Sequence, residues 1–226
     1  MVLANPPYSI KTWNRAAFAS DIYGRNLWGV PPQGRADYAF FQHIAASLDP
    51  VTGRAAILFP HGVLFRKEEA ALRKQLVRSG LLESVIGLGP GLFYNSPMEA
   101  VVITLRSRKP EGAPGGEVLF INAVNEVARE QGGQSFLRDT HQRRISEAYR
   151  AFGNDPGFAA VATQDVIAGK GYSLAIPLYV ARSTDDADAS GELDLADAVA
   201  AWRDSATAAD TAITDVLALL RQEATQ

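Results

Sequence analysis

The sequence predicts an α/β fold, half of a doubly wound sheet followed by a C-terminal coiled-coil-type helix. Three observations carry that prediction. Short apolar runs alternate with amphipathic stretches of helical period over the first half of the 226 residues. Gly and Pro bound those runs, as in "GRAAILFP" and "LLESVIGL". The last part changes character: acidic "RSTDDADASGE" leads into a segment whose apolar residues recur at heptad spacing.

The elements follow in chain order. Val2, Leu3 and Ala4 read as a buried strand that stops at Asn5-Pro6-Pro7-Tyr8. Two prolines cannot donate to a ladder or enter a helix interior, so this is a stiff, extended turn. A long polar and aromatic loop follows, punctuated by Gly24, Gly29, Pro31, Pro32 and Gly34. From Asp37 the spacing of Tyr38, Phe41, Ile44, Ala45 and Leu48 predicts a helix ending at Asp49-Pro50. "GRAAILFP" is then a strand, "RKEEAALRKQLVRSG" an amphipathic helix stopped by Gly80, and "LLESVIGL" and "EAVVITLRS" two more strands. Beyond a turn or linker at 109–117, "VLFINA" is a strand and Arg138 to Phe152 a charged helix. "GYSLAIPLYV" is expected to be a last edge strand interrupted by Pro177. Val199, Trp202, Ala206, Ala209, Ile213, Val216 and Leu220 are spaced 3, 4, 3, 4, 3, 4, a heptad seam on one helix.

Composition narrows the class. Hydrophobic residues make up 47% and charged residues 21%, the balance of a soluble globular protein. There is no cysteine, which excludes disulfides and thiolate metal sites and suits a reducing, cytoplasmic compartment. No apolar run is long enough to span a bilayer, and no charged-then-apolar leader opens the chain. The sequence starts inside an apolar strand, as a piece of a longer chain would. Residues 1–150 carry 18 Lys+Arg against 13 Asp+Glu, and residues 151–226 carry 4 against 12. The basic part is the one suited to face nucleic acid, although solvated helix faces account for most of that excess.

The three histidines, His43, His61 and His141, are isolated in sequence, which leaves metal centres and Ser-His-Asp chemistry unsupported. His61, at a strand end, is expected to be structural. "GLGPG" (87–91) lacks the Gly-Lys-Ser and following helix of a phosphate loop, and reads as a turn presenting Leu92, Phe93 and Tyr94. Asn5-Pro6-Pro7-Tyr8 carries specific chemistry. The lone pair of an exocyclic amine on a base or amide is delocalised, so the nitrogen is a poor nucleophile. Two acceptors against its two hydrogens push it toward tetrahedral geometry and aim the lone pair at an electrophile. The Asn5 side-chain carbonyl and the Pro6 main-chain carbonyl are such acceptors. Tyr8 adds a face for stacking a planar ring. The alternative for the same residues is a Pro-rich strand exit with a packing tyrosine.

Asn-Pro-Pro-Tyr after a strand resembles the amino-group signature of S-adenosylmethionine-dependent N-methyltransferases. "ADYAFFQHIAASLDPVTGRAAILFPHGVLFR", "LLESVIGLGPGLFYNSPMEAVVITL" and "FINAVNEVARE…FLRDTHQRRISEAYRAF…YSLAIPLYV" resemble the methylation (M) subunit of type I restriction-modification systems, N6-adenine DNA methyltransferases. The likeness runs from residue 2 to the C-terminal helix. It implies catalytic roles for Asn5, Pro6, Pro7 and Tyr8. It also implies that Tyr8 and Phe93 bind the substrate, holding an extruded adenine from two sides, because N6 is inaccessible inside a stacked duplex.

The resemblance implies a Rossmann-like class I sheet, of which this chain carries the fourth and fifth strands and the closing hairpin. The family's Gly-rich cofactor loop and acidic ribose ligand are not found here. The S-adenosyl-L-methionine of the full-length enzyme therefore has its main binding loop outside this chain, and the chain alone is expected to be inactive. The implied organisation is residues 1–110 as the second half of the catalytic domain and 111–180 as a family-specific α/β extension. Residues 181–192 form an acidic linker and 193–226 a helix for subunit assembly. The implied partners are double-stranded DNA, the specificity (S) subunit and, through it, the restriction (R) subunit. An unpaired edge at Val2–Ala4 adds the expectation of self-association. Two other readings stand beside it: a non-catalytic assembly module that retains the S-subunit contact, and an N-methyltransferase acting on glutamine or RNA that shares the tetrapeptide.

Overall fold

The computed structural model describes residues 1–93, 98–107, 116–129 and 134–181, together with Arg203 and Thr207. The chain divides into two units, Met1–Arg182 and Ser183–Gln226. In the second, Arg203 and Thr207 are helical and the Thr207 hydroxyl donates to the Arg203 carbonyl at 2.9 Å. The heptad positions Val199, Trp202, Ala206, Ala209, Ile213, Val216 and Leu220, and nearly all of the acidic linker, lie outside the described residues.

The first unit is built on a mixed six-stranded sheet in the order β1-β2-β4-β3-β5-β8. Its strands are β1 (Val2–Ala4), β2 (Arg54–Pro60), β3 (Leu82–Leu88), β4 (Ala100–Arg106), β5 (Glu117–Ala123) and β8 (Ala159–Thr163). A separate two-stranded ribbon pairs β6 (Ala128–Arg129) with β7 (Ser135–Phe136). β1 runs parallel to β2, and β3 parallel to β5. β4 lies antiparallel between β2 and β3, and β8 is antiparallel to β5. β1, β2, β3 and β5 thus point the same way, and their carboxyl ends share one edge of the sheet.

One face of the sheet carries Ile57, Phe59, Val85, Val101, Ile103 and Phe120, packed with α2 (Asp37–Ala46) and α3 (Ala70–Arg78). Period-2 alternation sends Ile86, Leu88, Leu119 and Ile121 to the other face, where Ile145, Ala148 and Tyr149 of α4 (Asp139–Ala151) cover them. That second face is uncovered toward β1. There Leu3 is 72% exposed, and an apolar cleft of about 360 Å³ runs between Leu3, Ala56, Leu58 and Val102. Among the described residues β1 pairs only with β2, so the expected open edge is present.

The structure corrects two expectations. The loop after Tyr8 contains a short helix, α1 (Arg15–Ala19), started by the Asn14 side chain accepting from the Ala17 amide. "GYSLAIPLYV" is not a strand: Ile176–Leu178 is a 3₁₀ turn with Pro177 in its first turn, and Tyr172 sits at φ +57°. The segment is apolar because it plugs the core. Leu174, Ile176 and Val180 are buried, Tyr179 stacks on Phe120 at 3.8 Å, and the Leu174 amide bonds the Leu64 carbonyl. The edge strand is β8, whose "AAVAT" lacks the polar/apolar contrast that marks a strand in sequence. It continues directly into α5 (Gln164–Gly169), capped by the Thr163 hydroxyl.

Candidate active site at the carboxyl edge of the sheet

The tetrapeptide Asn5-Pro6-Pro7-Tyr8 leaves β1 at the edge where the parallel strands end, where ligands bind in open α/β sheets. Pro6 is buried and anchors the turn, whereas Asn5 is exposed and its side-chain amide has no hydrogen bond among the described residues. Tyr8 is half-buried. Burial, and then the negative charge of Asp37, raise the pKa of its hydroxyl, which keeps the ring neutral at physiological pH. The Asn5 side chain and part of the Tyr8 ring are accessible at the strand end.

Phe93 follows β3 on the same edge, half-buried at a cleft of about 500 Å³ formed with Leu88, Leu92 and the ribbon residues Gln134 and Phe136. β1 and β3 are separated by three inter-strand spacings, about 14 Å in total. Tyr8 and Phe93 thus follow two strands that end at the same edge of the sheet, and Phe93 lines a cleft to which Tyr8 does not contribute. Tyr94 lies outside the described residues.

Between these two turns, His61 opens a 3₁₀ turn after β2. The expected structural histidine is only partly satisfied. Its Nδ1 is 3.5 Å from the Glu99 carboxylate, while its buried Nε2 has no hydrogen-bond partner among the described residues. Burial lowers its pKa, against a smaller upward pull from Glu99. No cluster of metal-ligating side chains occurs among the described residues.

Sequence reasoning did not single out what holds the tetrapeptide in place. Asp37, in the first turn of α2 and 1% exposed, accepts from the Ser9 amide at 2.6 Å and from the Arg66 guanidinium at 2.7 Å. Ser9 has φ +49°, a left-handed backbone that a non-glycine residue adopts at a cost and that the Asp37 contact compensates. Arg66 reaches Asp37 by lying across Gly62, where a Cβ would crowd the guanidinium. A side chain at position 62 would have to displace the guanidinium from this path. Arg73 fixes the Arg66 carbonyl at 2.7 Å and the Tyr172 carbonyl at 3.1 Å. The legible signal was the pairing of "RAD" before a helix with an Arg closing a strand exit, but no periodicity connects positions 29 residues apart.

Glu69 completes this cluster, fully buried, 3.6 Å from Arg66 and with neither oxygen hydrogen-bonded among the described residues. Burial pushes its carboxyl up to about 7. The neighbouring Asp37 adds to this, and Arg66, Arg35 and Arg73 oppose it. A carboxyl with a folded-state pKa above its unfolded value of 4.5 favours the folded state when protonated. Its contribution is present at low pH and is lost as pH rises from about 4.5 through about 7. Glu69→Gln should therefore raise the melting temperature more at pH 8 than at pH 5. An equal shift at both values in thermal denaturation would contradict this assignment.

Comparison with known proteins places these features in a family context. Residues 1–188 match the N-6 DNA Methylase family. The MjaVIII and MjaIX type I restriction enzyme methylase subunits of Methanocaldococcus jannaschii are 32% and 31% identical to the chain. Those alignments cover 83% and 82% of this chain but 32% and 35% of the relatives, so the chain spans about a third of their length. The crystal structure of the type I restriction-modification methyltransferase subunit from Streptococcus thermophilus superposes with a TM-score of 0.72 at 34% identity. That match covers 79% of this chain and 37% of the other.

Proposed function

We propose, for a chain that belongs to the N-6 DNA methylase family, that it forms the amine-activating side of a type I methyltransferase subunit. The target would be N6 of adenine in double-stranded DNA. The observation that carries this reading is Asn5-Pro6-Pro7-Tyr8 at the carboxyl edge of β1, with the Asn5 carboxamide free and the Tyr8 ring half-exposed beside it.

In this reading the extruded adenine lies against Tyr8, with Phe93 closing the crevice from the β3 side. The Asn5 side-chain oxygen and the Pro6 carbonyl accept the two N6–H bonds. Desolvated, preorganised acceptors localise the nitrogen lone pair without any side chain removing a proton beforehand. Family membership supports S-adenosylmethionine as methyl donor in the full-length enzyme. The cleft beside β1 does not make a site for it alone, since Leu3, Ala4, Ile57, Leu58 and Val102 offer no carboxylate to its ribose hydroxyls. The half of the sheet that would flank β1, with the cofactor loop, belongs in this reading to the rest of the subunit.

The S subunit, and the R subunit through it, are the proposed protein partners, with the heptad segment from Val199 as the contact for S. The bare β1 edge is a proposed site of self-association when the chain is isolated. Calorimetry tests the division of the cofactor site. The isolated chain should show no measurable S-adenosylmethionine binding and the complete subunit should bind. A micromolar dissociation constant for the chain alone would contradict the division.

A further inference from the structure

The tetrapeptide activates an amine only if two carbonyls stay where the amine's hydrogens will be, and prolines alone do not ensure this. Pro6 and Pro7 fix two φ angles, but the turn must also be tied to the body of the domain at its far end. The tie visible in the structure is Ser9. Its amide points at Asp37 Oδ1 at 2.6 Å, and its hydroxyl lies 3.4 Å from Asp37 Oδ2. Asp37 is itself immobilised: it stands in the first turn of α2, is 1% exposed, and is paired with Arg66 at 2.7 Å. Arg66 is held from the other side by the room at Gly62 and by Arg73 on its carbonyl. The network thus connects the turn after β1 to the helix before β2 and the 3₁₀ turn after it.

We propose that Asp37 is a positioning residue of the methyl-transfer site, clamping the Ser9 amide so that the Asn5 and Pro6 carbonyls are held in their reactive geometry. Arg66 is its counter-ion and braces it. This rests on the reading of Asn5-Pro6-Pro7-Tyr8 as the amine-activating turn. Asp37, 1% exposed, offers no surface to a bound ligand. Its loss should therefore leave substrate affinities unchanged and lower the rate of the chemical step. A displacement of the order of 1 Å at a reacting group costs about 10²-fold in rate.

The test uses the full-length subunit in its assembled enzyme, with kcat and the KM values for DNA and S-adenosylmethionine measured separately. Asp37→Asn retains an oxygen facing the Ser9 amide but turns an N–H toward the Arg66 guanidinium, so its kcat should lie between that of the unmodified enzyme and that of the apolar double variant below. Asp37→Leu combined with Arg66→Met replaces a buried ion pair by apolar side chains, an exchange that folded proteins tolerate. This double variant should lose about 10² in kcat with both KM values unchanged. Asp37→Ser, too short to reach Ser9, should behave alike and serves if the double variant fails to fold.

Asn5→Ala is the internal control. A folded Leu/Met or Ser variant with undiminished kcat would overturn the clamp while leaving the activating turn intact. An Asn variant as slow as the Leu/Met variant would also overturn it, since the hydrogen bond would not be what matters. Full activity in Asn5→Ala would overturn the underlying reading instead.

Discussion

Asn5→Ala in the complete methyltransferase should reduce kcat by about 10²–10³, with no change in folding stability. Both halves of that expectation come from one feature. Asn5 is exposed and its side chain has no hydrogen bond among the described residues, so truncating it removes nothing that the fold uses. In the proposed mechanism the same oxygen accepts one of the two N6–H bonds, and losing a preorganised acceptor is expensive only as charge develops on the nitrogen. Asn5→Asp keeps an acceptor oxygen and should retain more activity than the alanine variant. The measurement is single-turnover methyl transfer together with a urea denaturation curve. A stability loss matching the rate loss would assign Asn5 a structural role.

The largest stability effect should come from Phe59→Ala, at about 3–5 kcal/mol. Phe59 is 1% exposed near the end of β2, with its ring against the edge of Phe41 at 5.3 Å. Phe41 in turn meets Tyr38 at 5.7 Å and Trp28 at 5.6 Å, so one aromatic chain joins the sheet to α2 and to the loop that precedes it. Removing Phe59 leaves a cavity that neighbouring β2 and β4 backbones cannot close, because their ladder is paired from Arg54 to Pro60. Domains of ordinary stability have only about 5–15 kcal/mol to lose. The urea midpoint should fall steeply, whereas Leu3→Ser on the exposed edge should move it little, by about 0.5 kcal/mol or less. A small effect at Phe59 would mean that α2 is not packed as described, and the placement of Asp37 would fail with it.

The sheet strands were legible because burial on both faces writes continuous apolar runs such as Ala100–Arg106, and because Gly and Pro punctuate them. The stiff turn after β1 was legible because Asn-Pro-Pro-Tyr places two conformationally restricted residues at the end of an apolar run. What failed to show had physical reasons. β8 is alanine-rich and short, while the apolar "YSLAIPLYV" fills the core as irregular chain, so hydrophobicity ranked the two segments in the wrong order. The strand order, with β4 inserted antiparallel between β2 and β3, depends on pairings between distant segments that no local pattern encodes. The Asp37–Arg66 ion pair and the close approach of Arg66 to Gly62 likewise arise from contacts across the fold. A sequence shows charged residues at these positions but not that they are buried against each other.

The central claim is that the turn after β1 activates the N6 amine of adenine. The most direct measurement identifies the methylated product. DNA incubated with the assembled enzyme and isotopically labelled S-adenosylmethionine is digested to nucleosides and resolved by mass spectrometry. The label should appear on N6-methyl-2′-deoxyadenosine, and Asn5→Ala should abolish most of it. Label on N4 of deoxycytidine, no label on DNA, or an undiminished adenine signal from Asn5→Ala, would contradict the account.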